Sequence, residues 1–248
     1  MVNDYDKFAK MRQEQLKTGT KRPHRFIEKP MMRALLPDLT GKKVLMVGCG
    51  TGEEALMLQE YGAQEIVGID LSEESIKLAE ESYPDFKFIV GDMHELPFED
   101  SSFDFVYSSL AVHYSGTPDV VFGEMYRVLK KDGEILVSVG HPMRWACEEI
   151  EIDGEKYRII GHGESDASGK VFGNYNTFAK HEHHFGSGEV LEFYAGSPSF
   201  YYKTLKKTGF MVEDFSEGIC TDEAKEIDLN YWSKYHEIPQ FMAFLARK

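Results

Sequence analysis

The 248-residue sequence predicts an α/β fold: a doubly wound, mostly parallel sheet of seven strands with helices on both faces and the last strand antiparallel. Three observations predict it. Four apolar residues, Val44-Leu45-Met46-Val47, run into a glycine turn, Gly48-Cys49-Gly50-Thr51-Gly52, and then into an amphipathic stretch from Glu53 to Tyr61. A strand buried on both faces reads as such an unbroken apolar run, and glycines supply the positive φ of a tight turn. Short apolar runs then alternate with helical patterns up to residue 140, the order a parallel sheet requires. Finally the rhythm stops over residues 141–196 and resumes with one helix and two strands.

Residues 1–40 read as a helical arm. Tyr5, Phe8 and Met11 have helical spacing, Phe26-Ile27 with Met31, Leu35 and Leu36 suggest a second helix, and Thr18-Gly19-Thr20 breaks between them. Such an arm either covers a ligand mouth or caps an exposed helix layer. Residues 41–140 form the core, with strands at Val44–Val47, Glu65–Ile69, Phe86–Val90, Phe103–Tyr107 and Glu134–Val139. The helix over residues 72–82 has Ser72 as its N-cap, Glu73 and Glu74 in its first turn, and Ile76, Leu78 and Ala79 as its apolar stripe. Another helix, Val120 to Leu129, is expected to end at Lys130-Lys131-Asp132-Gly133, since basic residues and glycine suit a helix C-terminus. Residues 141–196, rich in Gly, His and Glu, read as an insertion of loops and short strands placed as a substrate lid. Residues 197–248 complete the same sheet: a helix over 198–209 between Pro198 and Gly209, a strand at Phe210–Phe215, and a last strand at Pro239–Ala246.

The formal net charge is −14 and no Lys/Arg cluster exceeds a pair, so a basic stripe for nucleic acid is not expected. A small molecule is the expected partner. Cys49, Cys147 and Cys220 are too widely spaced for a disulfide framework or a zinc motif. Met1–Arg12 is polar, unlike a secretory signal, and no apolar run approaches the ~18 residues of a membrane span. A cytoplasmic protein without membrane association is expected.

A nucleotide-like ligand is expected at the glycine turn, where free N–H groups of the helix start would point above the strand. The spacing Gly48-x-Gly50-x-Gly52 is one residue shorter than the dinucleotide fingerprint. Glu53 and Glu54 follow at once, and two like charges ~4 Å apart cost ~4 kcal/mol near a protein surface. A pyrophosphate, and with it an NAD-dependent oxidoreductase, is therefore disfavoured against a ligand with a zwitterionic amino-acid tail. Asp70, about 20 residues past the turn, stands where a carboxylate meets ribose hydroxyls. The alternative for Asp70 is a helix N-cap, which Ser72 can supply instead. Asp92, in Gly91-Asp92-Met93, could accept from an exocyclic amine with Met93 against a flat ring, or simply close a turn. Small residues in Ser108-Ser109-Leu110-Ala111 leave room for a ligand. His113 would lie near a reacting centre or form a half-buried pair with Tyr114. His141, in Gly140-His141-Pro142, belongs to the same edge as a base or as a structural histidine. His181-Glu182-His183-His184 reads as a polar lid strand in preference to a metal site, because no further ligand pair has suitable spacing.

Taken together, Val44–Gly52, Ile66–Asp70, Gly91-Asp92-Met93 with Leu96-Pro97-Phe98, Ser101–Leu110 and the run Glu124–Gly133 resemble the class I S-adenosylmethionine-dependent methyltransferases, within them the small-molecule branch that includes ubiquinone/menaquinone-type enzymes. The resemblance covers about residues 41–140, with weaker echoes at Ile27-Glu28-Lys29-Pro30 and Thr204–Phe210. It implies a Rossmann-like fold and S-adenosylmethionine as cofactor. It also implies that Gly48, Cys49, Gly50, Thr51 and Gly52 line the methionine part, Asp70 holds the ribose, Leu71 lies against the adenine, Asp92 takes its amine, and Met93 addresses the ring. Ser108 and Leu110 would lie beside the sulfonium, and Arg25 or Arg22 would meet the cofactor carboxylate. His113 and His141 are the candidates for a general base or for positioning. The sequence departs from the family at Met46, where an acid that helps the methionine ammonium is usual. That role then falls to Ser108 or to an N-terminal residue, or else the domain binds cofactor without turnover.

Overall fold

Seven strands make one sheet, and its two buried faces follow from the alternation of side chains along the first strand. In the computed structural model Val44 and Met46 of β1 (Lys43–Val47) enter one apolar core while Leu45 and Val47 enter the other. The structure describes residues 22–163, 169–184 and 190–248, together with Ala9, Gln13, Glu14 and Thr18. The spacing of Tyr5, Phe8 and Met11, and the break at Gly19-Thr20, lie outside the described residues.

The other strands are β2 (Glu65–Asp70), β3 (Lys87–Val90), β4 (Phe103–Ser109), β5 (Leu129–Gly140), β12 (Met211–Gly218) and β13 (Phe241–Arg247). Among the described residues, three two-stranded antiparallel sheets lie between β5 and β12: β6 (Glu148–Ile152) with β7 (Glu155–Ile159), β8 (Gly161–His162) with β9 (Val171–Phe172), and β10 (Ala179–His184) with β11 (Val190–Ala195). The sheet order is β12-β13-β5-β4-β1-β2-β3. β1 is parallel to β2 and β4, β2 to β3, and β4 to β5, whereas β13 is antiparallel to both of its neighbours. The expected antiparallel last strand is thus present, inserted between β5 and β12.

On the first face lie α1 (Lys29–Leu35), entered through a π-helical turn at His24–Glu28, with α2 (Glu54–Glu60) and α3 (Glu73–Ser82). On the second lie α4 (Pro118–Val128) and α6 (Pro198–Thr208), through Val121, Phe122, Met125, Tyr201 and Leu205. A short α5 (Pro142–Trp145) follows β5, and α7 (Asp222–Ile227) and α8 (Leu229–Tyr235) join β12 to β13. The Ser72 cap forms as expected, with its side chain accepting from the Ser75 N–H at 3.1 Å. Gly209 ends α6 at φ +114°.

One helix end differs from expectation. α4 stops at Val128, and Lys130 to Gly133 belong to the start of β5. Lys130 is drawn to Asp104 at 2.8 Å, and it is Asp132, at φ +62°, that takes the left-handed backbone position. β5 accordingly begins five residues before the expected Glu134. Among the described residues no helix is long and apolar enough to cross a membrane.

Candidate active site

The carboxyl ends of β1, β2, β3, β4 and β5 meet at one edge, where an open α/β sheet leaves a ligand crevice. The glycine turn after β1 is shaped by close approach. Gly48 has φ +68°, and a Cβ there would stand 2.2 Å from the Cβ of Ala111. Gly52, at φ +85°, leaves no space before the ring of Phe88 (2.7 Å). Gly50, at φ +53°, faces open space.

The turn is not a cradle of free N–H groups. The Gly48 and Cys49 N–H groups donate to the Ile69 carbonyl (2.8 and 3.0 Å), Gly52 N–H donates to the Cys49 carbonyl (3.0 Å), and Gly50 N–H donates to Asp70 Oδ2 (2.8 Å). The expected free N–H groups are to that extent already engaged. Burial and the neighbouring Glu54 push the Glu53 carboxyl above its ordinary value, and Thr51, buried, donates its hydroxyl to Glu53 Oε1 at 2.5 Å. The Cys49 thiol is pushed well up by burial and by Asp70, so it stays protonated, and the side chain belongs to the first apolar core. The engaged N–H groups of the turn disfavour a pyrophosphate and leave room for a ligand without phosphate.

Asp70 uses its other oxygen, Oδ1, to accept the Ser72 N–H at 2.9 Å. It therefore ties the glycine turn to the start of α3. Leu71 is half-buried beside it. Asp92 is exposed and turns to His94, accepting its N–H at 2.8 Å with Nδ1 at 2.6 Å; the backbone bond and His94 hold its carboxyl below the usual range against a burial penalty that opposes them. His94 Nε2 meets Ser115 Oγ at 2.7 Å, which links the turn after β3 to the start of α4. Met93 is half-buried against the second core.

Ser108 points into the sheet and donates to the Val47 carbonyl at 2.9 Å, so its hydroxyl is committed to joining β4 to β1. Leu110 holds a left-handed backbone at φ +51°, a conformation worth ~1–3 kcal/mol of strain for a side-chain-bearing residue. Its N–H is shared between the Ser138 carbonyl (3.2 Å) and Ser138 Oγ (3.1 Å). His113 is buried in the short turn Val112–Tyr114, its ring 4.4 Å from that of Tyr114.

Three of the expected residues have other partners in this structure. Arg25 is exposed and bound to Glu223 of α7 at 2.6 Å, and Arg22 is bound to Asp228 at 2.5 Å. Both arginines fasten the arm to the C-terminal helices. His141 is buried and has both ring nitrogens engaged: Nδ1 accepts the Met143 N–H at 3.2 Å and caps α5, while Nε2 faces Glu217 Oε1 at 2.9 Å. Burial pushes its pKa down in spite of Glu217.

The last hairpin of the insertion docks on this edge. Phe193 of β11 meets the Trp145 ring at 4.4 Å, and Phe178 stacks between Tyr194 and Phe200 at 5.4 and 4.3 Å. A Cβ at Gly116, just past His113, would touch the Tyr194 ring at 2.9 Å. His181 lies flat on Phe193 at 5.6 Å. The described residues contain no group of three His, Cys, Asp or Glu side chains able to hold a metal.

Sequence reasoning missed the polar cluster under the arm. Glu28 is fully buried, with Oε1 accepting from Ser109 Oγ (2.8 Å) and Ser138 Oγ (2.7 Å). His24 Nε2 lies 3.2 Å from both Glu28 Oε2 and Glu54 Oε1. The available signal was an acid inside the apolar stripe of Phe26, Ile27, Met31 and Met32, four residues after a histidine. Arg144 was also overlooked; it lies over the rings of Trp145 (4.5 Å) and Phe241 (5.6 Å), and burial lowers its pKa.

Comparison with known proteins agrees with this geometry. Residues 45–137 match the family described as a methyltransferase domain. An uncharacterized protein of Haemophilus influenzae is 34% identical over 60% of this chain and 62% of its own length. The demethylmenaquinone methyltransferase of Thermotoga maritima is 36% identical over 42% of this chain and 45% of its own. The chain thus spans less than two thirds of the length of these relatives. A crystal structure of a candidate S-adenosylmethionine-dependent methyltransferase from Listeria monocytogenes superposes with a TM-score of 0.74 at 26% identity, over 89% of this chain and 96% of that one.

Proposed function

We infer from its methyltransferase domain that this chain is a class I S-adenosylmethionine-dependent enzyme, and we propose that it transfers a methyl group to a small-molecule acceptor. The observation that carries the reading is the union of the glycine turn with Asp70: a carboxylate beside an open Gly50, in a loop whose N–H groups are mostly engaged. Such a loop suits a ribose and a cationic tail better than a pyrophosphate.

Gly48, Cys49, Gly50, Thr51 and Gly52 would hold the methionine part of the cofactor, Asp70 and Leu71 the ribose and one side of the adenine, and Asp92 and Met93 its far edge. When bound, S-adenosylmethionine supplies a methyl group on a sulfonium, an excellent leaving group. The chain's own work is then placement. Holding an acceptor atom at ~3–3.5 Å in line can supply ~7–11 kcal/mol. Leu110, in its strained turn, and the aromatic hairpin β10–β11 would shape the acceptor's side of the crevice and exclude water. His113 would hold a proton where the acceptor has one to lose, an effect of 10²-fold or more, roughly. An acidic chain without a basic stripe fits a small acceptor rather than nucleic acid.

A second reading, a cofactor-binding module without turnover, is favoured by Met46, which leaves the end of β1 uncharged. Calorimetric titration with S-adenosylmethionine, S-adenosylhomocysteine and NAD, followed by a screen of small acceptors with methyl-labelled cofactor, separates the readings. Micromolar binding of the two sulfur compounds, none of NAD, and label transfer are expected. Binding without transfer across a broad acceptor panel would favour the module. Binding of NAD alone would overturn both.

A further inference from the structure

Arg144 of α5 is a half-buried cation that no carboxylate answers. Its guanidinium lies over the rings of Trp145 at 4.5 Å and Phe241 at 5.6 Å. Among the described residues its side chain meets no acid and donates no hydrogen bond. Burial opposes its charge most; Tyr231 and Tyr235 favour that charge, and Arg158, a second cation, opposes it. A guanidinium stays protonated in a protein, so its charge and its N–H fork both call for a partner. Aromatic faces attract the charge but give the in-plane N–H groups no acceptor.

Tyr231 supplies a second observation. Its hydroxyl is buried and has no hydrogen-bond partner among the described residues, whereas buried polar groups are as a rule bonded. Burial raises its pKa against the pull of Arg144, so it keeps a proton to donate. Its ring, 4.8 Å from that of Tyr235, packs on the same first core as Phe241. An open guanidinium fork and an open phenol hydroxyl on one core match a planar anion that accepts from both. The aromatic walls and the single half-buried charge fit a carboxylate on an apolar body. A phosphate dianion would need a second committed cation, and Arg158 is exposed and faces Glu149 across the β6–β7 pair.

The place of the cluster points to the acceptor. Phe241 opens β13 opposite Gly140, at the end of β5. In the sheet, β5 and β4 separate β13 from β1, which puts the two roughly 14 Å apart at the usual strand spacing. The glycine turn and Asp70 belong to the ends of β1 and β2. Trp145, beneath the guanidinium, meets Phe193 of β11 at 4.4 Å, on the insertion's side of the crevice.

We propose that Arg144 and the Tyr231 hydroxyl bind a carboxylate of the methyl acceptor, which makes an organic acid the substrate class of this site. This rests on the function proposed above for the same crevice.

The test compares wild type with Arg144→Met, which keeps the stem and removes the fork, with Arg144→Lys, which keeps the charge, and with Tyr231→Phe. Circular dichroism verifies each fold; should Arg144→Met lose it, the other two variants carry the same comparison. Each protein is titrated by thermal shift with benzoate and with benzamide, its neutral counterpart, with and without saturating S-adenosylhomocysteine. Calorimetry gives the affinity for S-adenosylhomocysteine itself. Benzoate should stabilise wild type under both conditions and benzamide under neither. Arg144→Met should bind benzoate at least about tenfold more weakly, as befits loss of bonds from a charged group. Tyr231→Phe and Arg144→Lys should show smaller losses, and every variant should bind S-adenosylhomocysteine as wild type does. Benzoate that stabilises no protein, or all of them equally, would overturn the anion site and leave the methyltransferase reading intact. Benzoate displaced by S-adenosylhomocysteine, with loss of S-adenosylhomocysteine affinity in Arg144→Met, would overturn the assignment to the acceptor and give Arg144 to the cofactor's carboxylate. Wild type that fails to bind S-adenosylhomocysteine would instead defeat the methyltransferase reading, and the benzoate titration without it would still decide the anion site.

Discussion

Asp70 and Gly50 form one unit: the carboxylate at the end of β2 accepts the backbone N–H of the second glycine after β1 at 2.8 Å. The acid therefore shapes the turn as well as facing the crevice. Asp70→Asn keeps the size and removes the charge. With hydrogen bonds to a charged acceptor worth ~1.5–3 kcal/mol each, S-adenosylhomocysteine should bind roughly 10- to 100-fold more weakly, and the melting temperature should fall as well. Calorimetry alongside thermal denaturation reads both. A variant with weakened binding at an unchanged melting temperature would show that the turn does not depend on Asp70.

Gly48 is demanded by packing and by backbone at once. Gly48→Ala places a methyl 2.2 Å from Ala111 Cβ at φ +68°. Overpacking and a left-handed alanine together should cost about 2–4 kcal/mol. The double change Gly48→Ala with Ala111→Gly relieves the clash and keeps the backbone strain, so urea denaturation should recover about half of the loss. Full recovery would mean that the backbone conformation costs nothing.

Arg25 sits in an exposed ion pair with Glu223. Surface pairs contribute ~0–1 kcal/mol, so Arg25→Ala should change stability little and S-adenosylhomocysteine affinity by less than about twofold. A tenfold loss of affinity would restore Arg25 to the cofactor carboxylate and displace the geometry seen here.

His141 makes stability depend on pH. Its folded-state pKa lies below the ordinary 6.5 because it is buried. The unfolded chain therefore binds the extra proton first as pH falls. The stabilisation is complete above about pH 6.5 and declines below it, by at most ~1.4 kcal/mol per pH unit. His141→Asn retains an N-cap for α5 and removes the titration. Urea midpoints from pH 8 to pH 5 should fall less steeply for the variant than for wild type, and parallel curves would rule out His141 as the titrating group.

The strands and the glycine turn were legible in the sequence because they rest on local chemistry. An unbroken apolar run at β1, a serine cap at Ser72 and a glycine stop at Gly209 each act within a few residues of themselves. The same holds for Asp70 and Asp92, whose places at strand ends follow from chain order alone. α4 was read past its end because the Lys130–Gly133 run looks like a helix terminus locally, whereas the pairing of β4 with β5 and the pull of Asp104 on Lys130 extend the strand instead.

The polar partners were decided by tertiary structure. Arg25 and Arg22 are cations near a ligand edge in sequence, but α7 and α8, folded back from the far end of the chain, offer them carboxylates. His141 resembles a free base until Glu217 of β12 occupies its second nitrogen. Glu28 looks like an ordinary surface acid until the arm packs onto β4 and β5 and buries it among two serines, His24 and Glu54. Apolar patterning is periodic along the chain and so can be read from it. Which charge meets which depends on distances across as many as 198 residues of sequence, and no local pattern encodes them.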